Sequence, residues 1–251
     1  MNFRLNNCQH ALIIGAGHGI GLGIVQNLLE NYSGISIKAT YRRKGHALEL
    51  LDLKKQFPTR LEVIELNPTK EEQISAFAQE HTDSSFDLII NSVGLLHTKK
   101  ISPEKALREF DPDTFLELIR VNAIVTPLLA KYLERNLSDS PGLFATVSAK
   151  VGSIEDNKIG GWYSYRASKA ALNMLIKNIA IEFERKRKKC LVLAIHPGTT
   201  RTDLSEPFID RTSYIIHETH ETASNILNII NNRELSETGK FLSWDGGEIP
   251  W

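Results

Sequence analysis

The chain has 251 residues, 41% apolar and 24% charged, enough for one large domain or two small ones and for a full core. Its 30 Lys+Arg balance 30 Asp+Glu, so no net charge directs it to nucleic acid or to an anionic membrane. Two distant cysteines, Cys8 and Cys190, form no C-x-x-C pattern, which argues against a disulfide scaffold or a metal site and for a reducing cytoplasm.

In chain order, the first apolar run is "ALII" at residues 11–14, too short for a signal peptide or a membrane span. It reads as a strand entering the turn "GAGHGIGLG", with Gly15, Gly17, Gly19 and Gly21 followed by a helix that carries Ile20, Ile24 and Leu28 at four-residue spacing. Such a turn lets a pyrophosphate approach a helix N-terminus; the plainer alternative is tight packing of helix on strand. No Gly-Lys-Ser/Thr follows, so it is not a P-loop.

Residues 35–41 read as a second buried strand, ending in "TYRRK". A carboxylate at this point would accept hydrogen bonds from a ribose 2′-hydroxyl. Tyr41, Arg42 and Arg43 offer none, and guanidinium groups suit a 2′-phosphate, which favours NADP over NAD. Residues 61–66, 86–91, 143–148 and 190–196 read as further buried strands, and 240–244 as a weaker last one. Residues 102–114, with two prolines and many charges, are a loop that either lines a site or runs over the surface. A second helical stripe runs through Leu172, Ile176, Ala180 and Glu184, flanked by Ile179 and Phe183. The run "RKRKK" at 185–189 reads as the solvated last turn of that helix. Strand–helix alternation without a linker or repeat predicts one α/β domain, a doubly wound, mostly parallel sheet with helices on both faces.

Tyr165 and Lys169 are spaced i, i+4 and share one helix face. A free phenol has a pKa of about 10. An ammonium at about 4 Å and an effective dielectric near 20 would favour the phenolate by about 4 kcal/mol, which makes the pair a plausible proton donor.

Taken together and in order, these motifs resemble the short-chain dehydrogenase/reductase family over nearly the whole chain. Gly15, Gly19 and Gly21 match its cofactor turn, with Ile14 in place of Thr. "NSVG" (Asn91, Ser92, Val93, Gly94) matches its N-N-A-G strand end, Asn122 its tetrad asparagine, Tyr165 and Lys169 its catalytic pair, and "HPGTTRTD" its P-G-x-x-x-T segment. "YRASKAALN" and the terminal "IPW" look most like the C-factor-like branch. The resemblance implies a single NAD(P)-binding Rossmann-like domain over residues 1–251, with a C-terminal substrate-loop region. It implies an NADP-dependent oxidoreductase moving hydride between nicotinamide and a carbonyl/alcohol pair. Tyr165 would be the acid or base, Lys169 would also hold the nicotinamide ribose, and Asn122 would position a relay water. Gly17, His18, Ile20, Asn67, Pro68, Pro197, Gly198, Thr200 and Thr202 join the expected cofactor site. Asn67 stands where the family has an adenine-contacting aspartate. Assembly as a homodimer or homotetramer through the helices carrying Asn122 and Tyr165 is likewise implied.

Aligned on Gly152, the family's catalytic serine falls at Ala149. Ser148 matches the first serine of the pair and is the candidate hydroxyl, although strand alternation turns it away unless the strand end twists. Ser153 is a second substitute. Tyr163, with Ala167 four residues later, reads as a pocket-lining ring. The substrate pocket is expected from residues 95–100, 154–162 and 202–214. A rival reading keeps the fold and the cofactor but makes the protein a nucleotide-binding sensor with little turnover.

Overall fold

A computed structural model describes residues 2–138, 140–209 and 215–251. Its centre is a seven-stranded sheet: β1 (His10–Ile14), β2 (Ser36–Tyr41), β3 (Leu61–Glu65), β4 (Leu88–Asn91), β5 (Gly142–Val147), β6 (Cys190–His196) and β7 (Phe241–Ser243). All pairings are parallel, in the order β3-β2-β1-β4-β5-β6-β7. The expected strands are therefore present, with ends that differ by a residue or two.

Burial on both faces explains the continuous apolar strands. In β1, Ala11 and Ile13 face one core while Leu12 and Ile14 face the other. The first core is closed by α1 (Gly19–Asn31), α2 (Leu48–Gln56) and α7 (Thr219–Ile230) through Ile24, Leu28, Leu50, Ile226 and Ile230. The second is closed by α3 (Glu71–Glu80), α5 (Val125–Leu133) and α6 (Tyr163–Arg185) through Ile74, Leu129, Leu172 and Ile176. Glu184, at the end of the predicted stripe, is exposed, as are residues 185–187.

Strand order reverses between β1 and β4, which opens a crevice beyond their carboxyl ends. One detail escaped the sequence. The helical stretch before β5 begins as α4 (Pro112–Ile119), capped by the Asp111 carboxylate accepting from Thr114 N at 2.8 Å. It then widens into a π turn, Arg120–Ile124, before α5. Asn122 sits in that π turn, a device that often marks functional sites.

The tail folds back on its own domain. Ile249 N donates to Phe241 O at 2.8 Å, and the Trp251 ring stacks on Phe241. Cys8 and Cys190 are buried and unpaired, and burial pushes each thiol up to about 12. Among the described residues no helix is long and apolar enough to cross a membrane.

Candidate active site

The crevice is a single cleft of about 1260 Å³ running from the β2 end past the glycine turn to α6. That exceeds the usual range for one small ligand, roughly 300–1,000 Å³. It has room for a dinucleotide and a second molecule.

At one end the turn after β1 is built for close approach. Gly15 has φ +84° and Gly19 φ +59°, conformations that favour glycine. A Cβ on Gly21 would lie 2.5 Å from Gly15 O and from Ser92 Oγ. Ser92 holds the turn by donating to Ile14 O at 2.8 Å. Gly17, His18, Ile20, Tyr41, Arg42 and Arg43 line the same end, with Asn67 and Pro68 beside them. Arg42 and Arg43 are exposed, and no ion pair among the described residues uses either. The oxygen of Asn67 accepts from Thr69 N and Thr69 Oγ1, so the acceptor is already engaged. His46, unread in the sequence, also lines this wall, its ring 5.8 Å from that of His18.

Asn91 departs from expectation. It is 1% exposed, donates to Thr126 Oγ1 and accepts from Val93 N, and it does not line the cleft. It braces the strand end while Ser92, Val93 and Gly94 form the wall. On the opposite side Pro197, Gly198, Thr200 and Thr202 line the cleft. Gly198, at φ +77°, lies against the His217 and Trp244 rings, and the Thr200 and Thr222 hydroxyls share a hydrogen bond.

At the far end Tyr165 and Lys169 stand on one face of α6, 7% and 3% exposed. Lys169 Nζ lies 6.0 Å from the Tyr165 ring centroid and donates to Val147 O at 3.2 Å. Burial raises the Tyr165 phenol above its ordinary value and pushes the Lys169 ammonium down to about 8. Asn122 is buried and fully engaged: Oδ1 accepts from Leu95 N at 2.7 Å, and Nδ2 donates to Leu95 O and to Ser168 Oγ. It ties the loop after β4 to the helix bearing Tyr165.

The serine question has a geometric answer. Ser148 Oγ donates to Asn173 Oδ1 at 2.6 Å, one helical turn beyond Lys169, and the residue is 3% exposed. Ser153 Oγ donates to Trp251 O at 3.4 Å and accepts from Asp156 N. Both hydroxyls have partners other than Tyr165, and Ser148 also lines the cleft. Ala149, by contrast, packs in the cluster that holds Tyr165, with Leu95, Leu96, Val151, Trp162, Leu204 and Phe208. Tyr163 is 38% exposed and is absent from the cleft wall, so it is not the pocket-lining ring expected. Of the expected substrate segments, Leu95–Thr98 and parts of 156–162 and 202–209 line the cleft, as do Ser102, Pro103 and Lys105. Residues 210–214 lie outside the described residues.

The fold matches that of known proteins. The family model for short chain dehydrogenases matches residues 9–212, and the chain belongs to the short-chain dehydrogenase/reductase family of oxidoreductases. An uncharacterized oxidoreductase of Schizosaccharomyces pombe is 26% identical, covering 95% of this chain and 96% of its own length. The C-signal protein of Myxococcus xanthus is 31% identical over 43% of this chain and 60% of its own. The crystal structure of NADPH-bound carbonyl reductase from chicken fatty liver superposes with a TM-score of 0.84 at 28% identity, covering 97% of this chain and 99% of that one.

Proposed function

We propose that the protein is an NADPH-dependent reductase of carbonyl compounds, with Tyr165 as the proton donor. One observation carries the reading: a single cleft joins Arg42 and Arg43, in no ion pair among the described residues, to Tyr165 and Lys169. The glycine turn, which a Cβ at position 21 would fill, fits the pyrophosphate of a dinucleotide. Arg42, Arg43 and His18 would hold the 2′-phosphate, Asn67 and Pro68 the adenine, and Pro197, Gly198, Thr200 and Thr202 the nicotinamide end. When bound, the cofactor supplies the hydride. The chain supplies the rest. Tyr165 Oη gives its proton to the carbonyl oxygen as negative charge builds there. The Lys169 ammonium stabilises the phenolate left behind. Leu95, Trp162 and Phe208 present an apolar wall that orients the substrate and keeps water out. We place the enzyme in the cytoplasm, in keeping with its two unpaired cysteines.

NADPH oxidation measured over a panel of aldehydes, ketones and quinones tests the reading, beside calorimetric titration with NADPH and NADH. Turnover abolished by Tyr165→Phe with NADPH affinity retained is the expected result. Ala149 favours the rival sensor reading, because the cluster around Tyr165 gains no hydroxyl from position 149. Tight NADPH binding without turnover on any carbonyl would establish that reading instead.

A further inference from the structure

The loop after β4 sends one carboxylate into the interior. Glu104 is 3% exposed, and it meets the first turn of α6 sixty residues further along the chain. Its two carboxylate oxygens accept from Ser164 N at 3.3 and 3.2 Å, and Oε1 also accepts from Ser164 Oγ. Its backbone carbonyl accepts from Trp162 N at 2.5 Å. A buried carboxylate is costly in isolation. Here the Ser164 N–H and hydroxyl and the positive end of a 23-residue helix offset that cost.

The position is unusual for a cap. The residue before α6 is Trp162, which has no capping side chain and sits in the left-handed region at φ 50°. Stability alone would be served by Ser or Asp at that place. Trp162 instead turns its ring edge-on to Tyr165 at 6.0 Å and to Phe208 at 5.2 Å. The local cap has given way to a cleft-lining ring, and Glu104 does the capping from a distance. One side chain therefore fixes Trp162 through its carbonyl and Ser164 through its carboxylate, the residues on either side of Tyr163 and immediately before Tyr165.

We propose that Glu104 is a positioning residue that sets the Tyr165 phenol against the Trp162–Phe208 wall. The proposal rests on Tyr165 being the proton donor. Glu104 touches neither cofactor nor substrate. It acts through the start of α6, and its geometry matters more than its charge.

The test is steady-state kinetics on Glu104→Ala, Glu104→Gln, Ser164→Ala and the Glu104→Ala/Ser164→Ala double variant, using NADPH and an aromatic dicarbonyl. Calorimetric NADPH titration and amide hydrogen exchange over residues 162–166 accompany it. Glu104→Ala should lower kcat by about tenfold or more, with NADPH affinity held within about twofold. Glu104→Gln should recover most of that loss, because its amide oxygen still accepts from Ser164 N. Ser164→Ala should lose about threefold, and the double variant no more than Glu104→Ala alone, as partners in one contact do. Exchange at 162–166 should quicken by about tenfold in Glu104→Ala and stay near wild type in Glu104→Gln. Wild-type kcat in Glu104→Ala, equal losses in kcat and NADPH affinity, or a Gln variant as impaired as Ala would overturn the proposal. If Glu104→Ala does not fold, Glu104→Gln and Ser164→Ala carry the same comparison. A wild type that binds NADPH but turns over no carbonyl strikes the reductase reading. Exchange then judges the cap alone, and unchanged protection in Glu104→Ala would overturn it.

Discussion

The methyl of Ala149 packs in the cluster with Tyr165, at the position where the family's hydroxyl would meet a substrate oxygen. Ala149→Ser should therefore raise kcat for a dicarbonyl or quinone by about tenfold, with NADPH affinity unchanged, because the new bond strengthens as charge develops. Unchanged kinetics would show that the oxygen binds elsewhere. Ser148 has a partner of its own in Asn173. Removing its hydroxyl in Ser148→Ala leaves buried Asn173 Oδ1 without its donor, and should cost about 1–3 kcal/mol of unfolding free energy while kcat stays near wild type. A large kcat loss at unchanged stability would return Ser148 to the catalytic set. Lys169 carries a pH prediction. With its ammonium pushed down to about 8, the charge is present below that pH and lost above it. The stabilised form of the phenolate is lost with it, so kcat/KM for carbonyl reduction should fall as pH rises through about 8. In Lys169→Arg, which keeps its charge, that limb should vanish; a profile flat across pH 7–9 in the wild type would exclude Lys169 as its origin.

At the scale of elements, the first turn and the end of β2 were legible because each has a local signal. Glycines at 15, 17, 19 and 21 follow an apolar strand, and a basic run replaces the acid after the next one. Gly21→Ala should abolish NADPH binding, since the new Cβ would press on Gly15 O, a backbone atom that cannot swing aside. Normal affinity in calorimetry would mean the turn is softer than its geometry implies. Arg42→Asp should narrow or reverse a preference for NADPH over NADH, as titration with both cofactors would report. Other features had no local signal. A π turn uses the same residue types as an α turn, so nothing local marks 120–124 off from ordinary helix. Asn91 belongs to the right motif, yet it faces Thr126 instead of the cleft, because it is the last residue of β4 and buried against α5, while Ser92 follows in the turn and bonds Ile14 O. Glu104 was one acid among several in a charged loop, and its partner lies in a helix that the loop's own sequence does not mention. Ser148 is the candidate hydroxyl of the motif, and its bond to Asn173, twenty-five residues on, has no local signal.

For the whole molecule, the doubly wound sheet was readable because both faces are buried, and seven apolar runs separated by amphipathic stretches admit few other arrangements. Its outer surface is less readable. Met174 and Ile181 stand seven residues apart on α6, 62% and 37% exposed. Two turns of helix bring them onto one stripe. Leu116 on α4 and Ile124 in the π turn are also exposed, at 61% and 42%. These are the helices through which self-association is expected. Light scattering should give the mass of a dimer or tetramer, and the Met174→Glu/Ile181→Glu double variant should give a monomer that still binds NADPH. A wild type of monomer mass would assign those apolar residues to the ordinary exposed surface.

The π turn at 120–124 is also a change of phase. A π turn holds one residue more than an α turn, so α5 is rotated by about 100° from the course α4 would have followed. A helical wheel drawn across 112–133 therefore assigns the faces of one half wrongly. Shortening the stretch by one residue would restore an unbroken hydrogen-bond ladder, and would swing Asn122 off Leu95 and Ser168 or α5 off its core. The bulge is the extra residue that lets one helical stretch hold Asn122 on the loop beside the cleft and still lay α5 on the sheet.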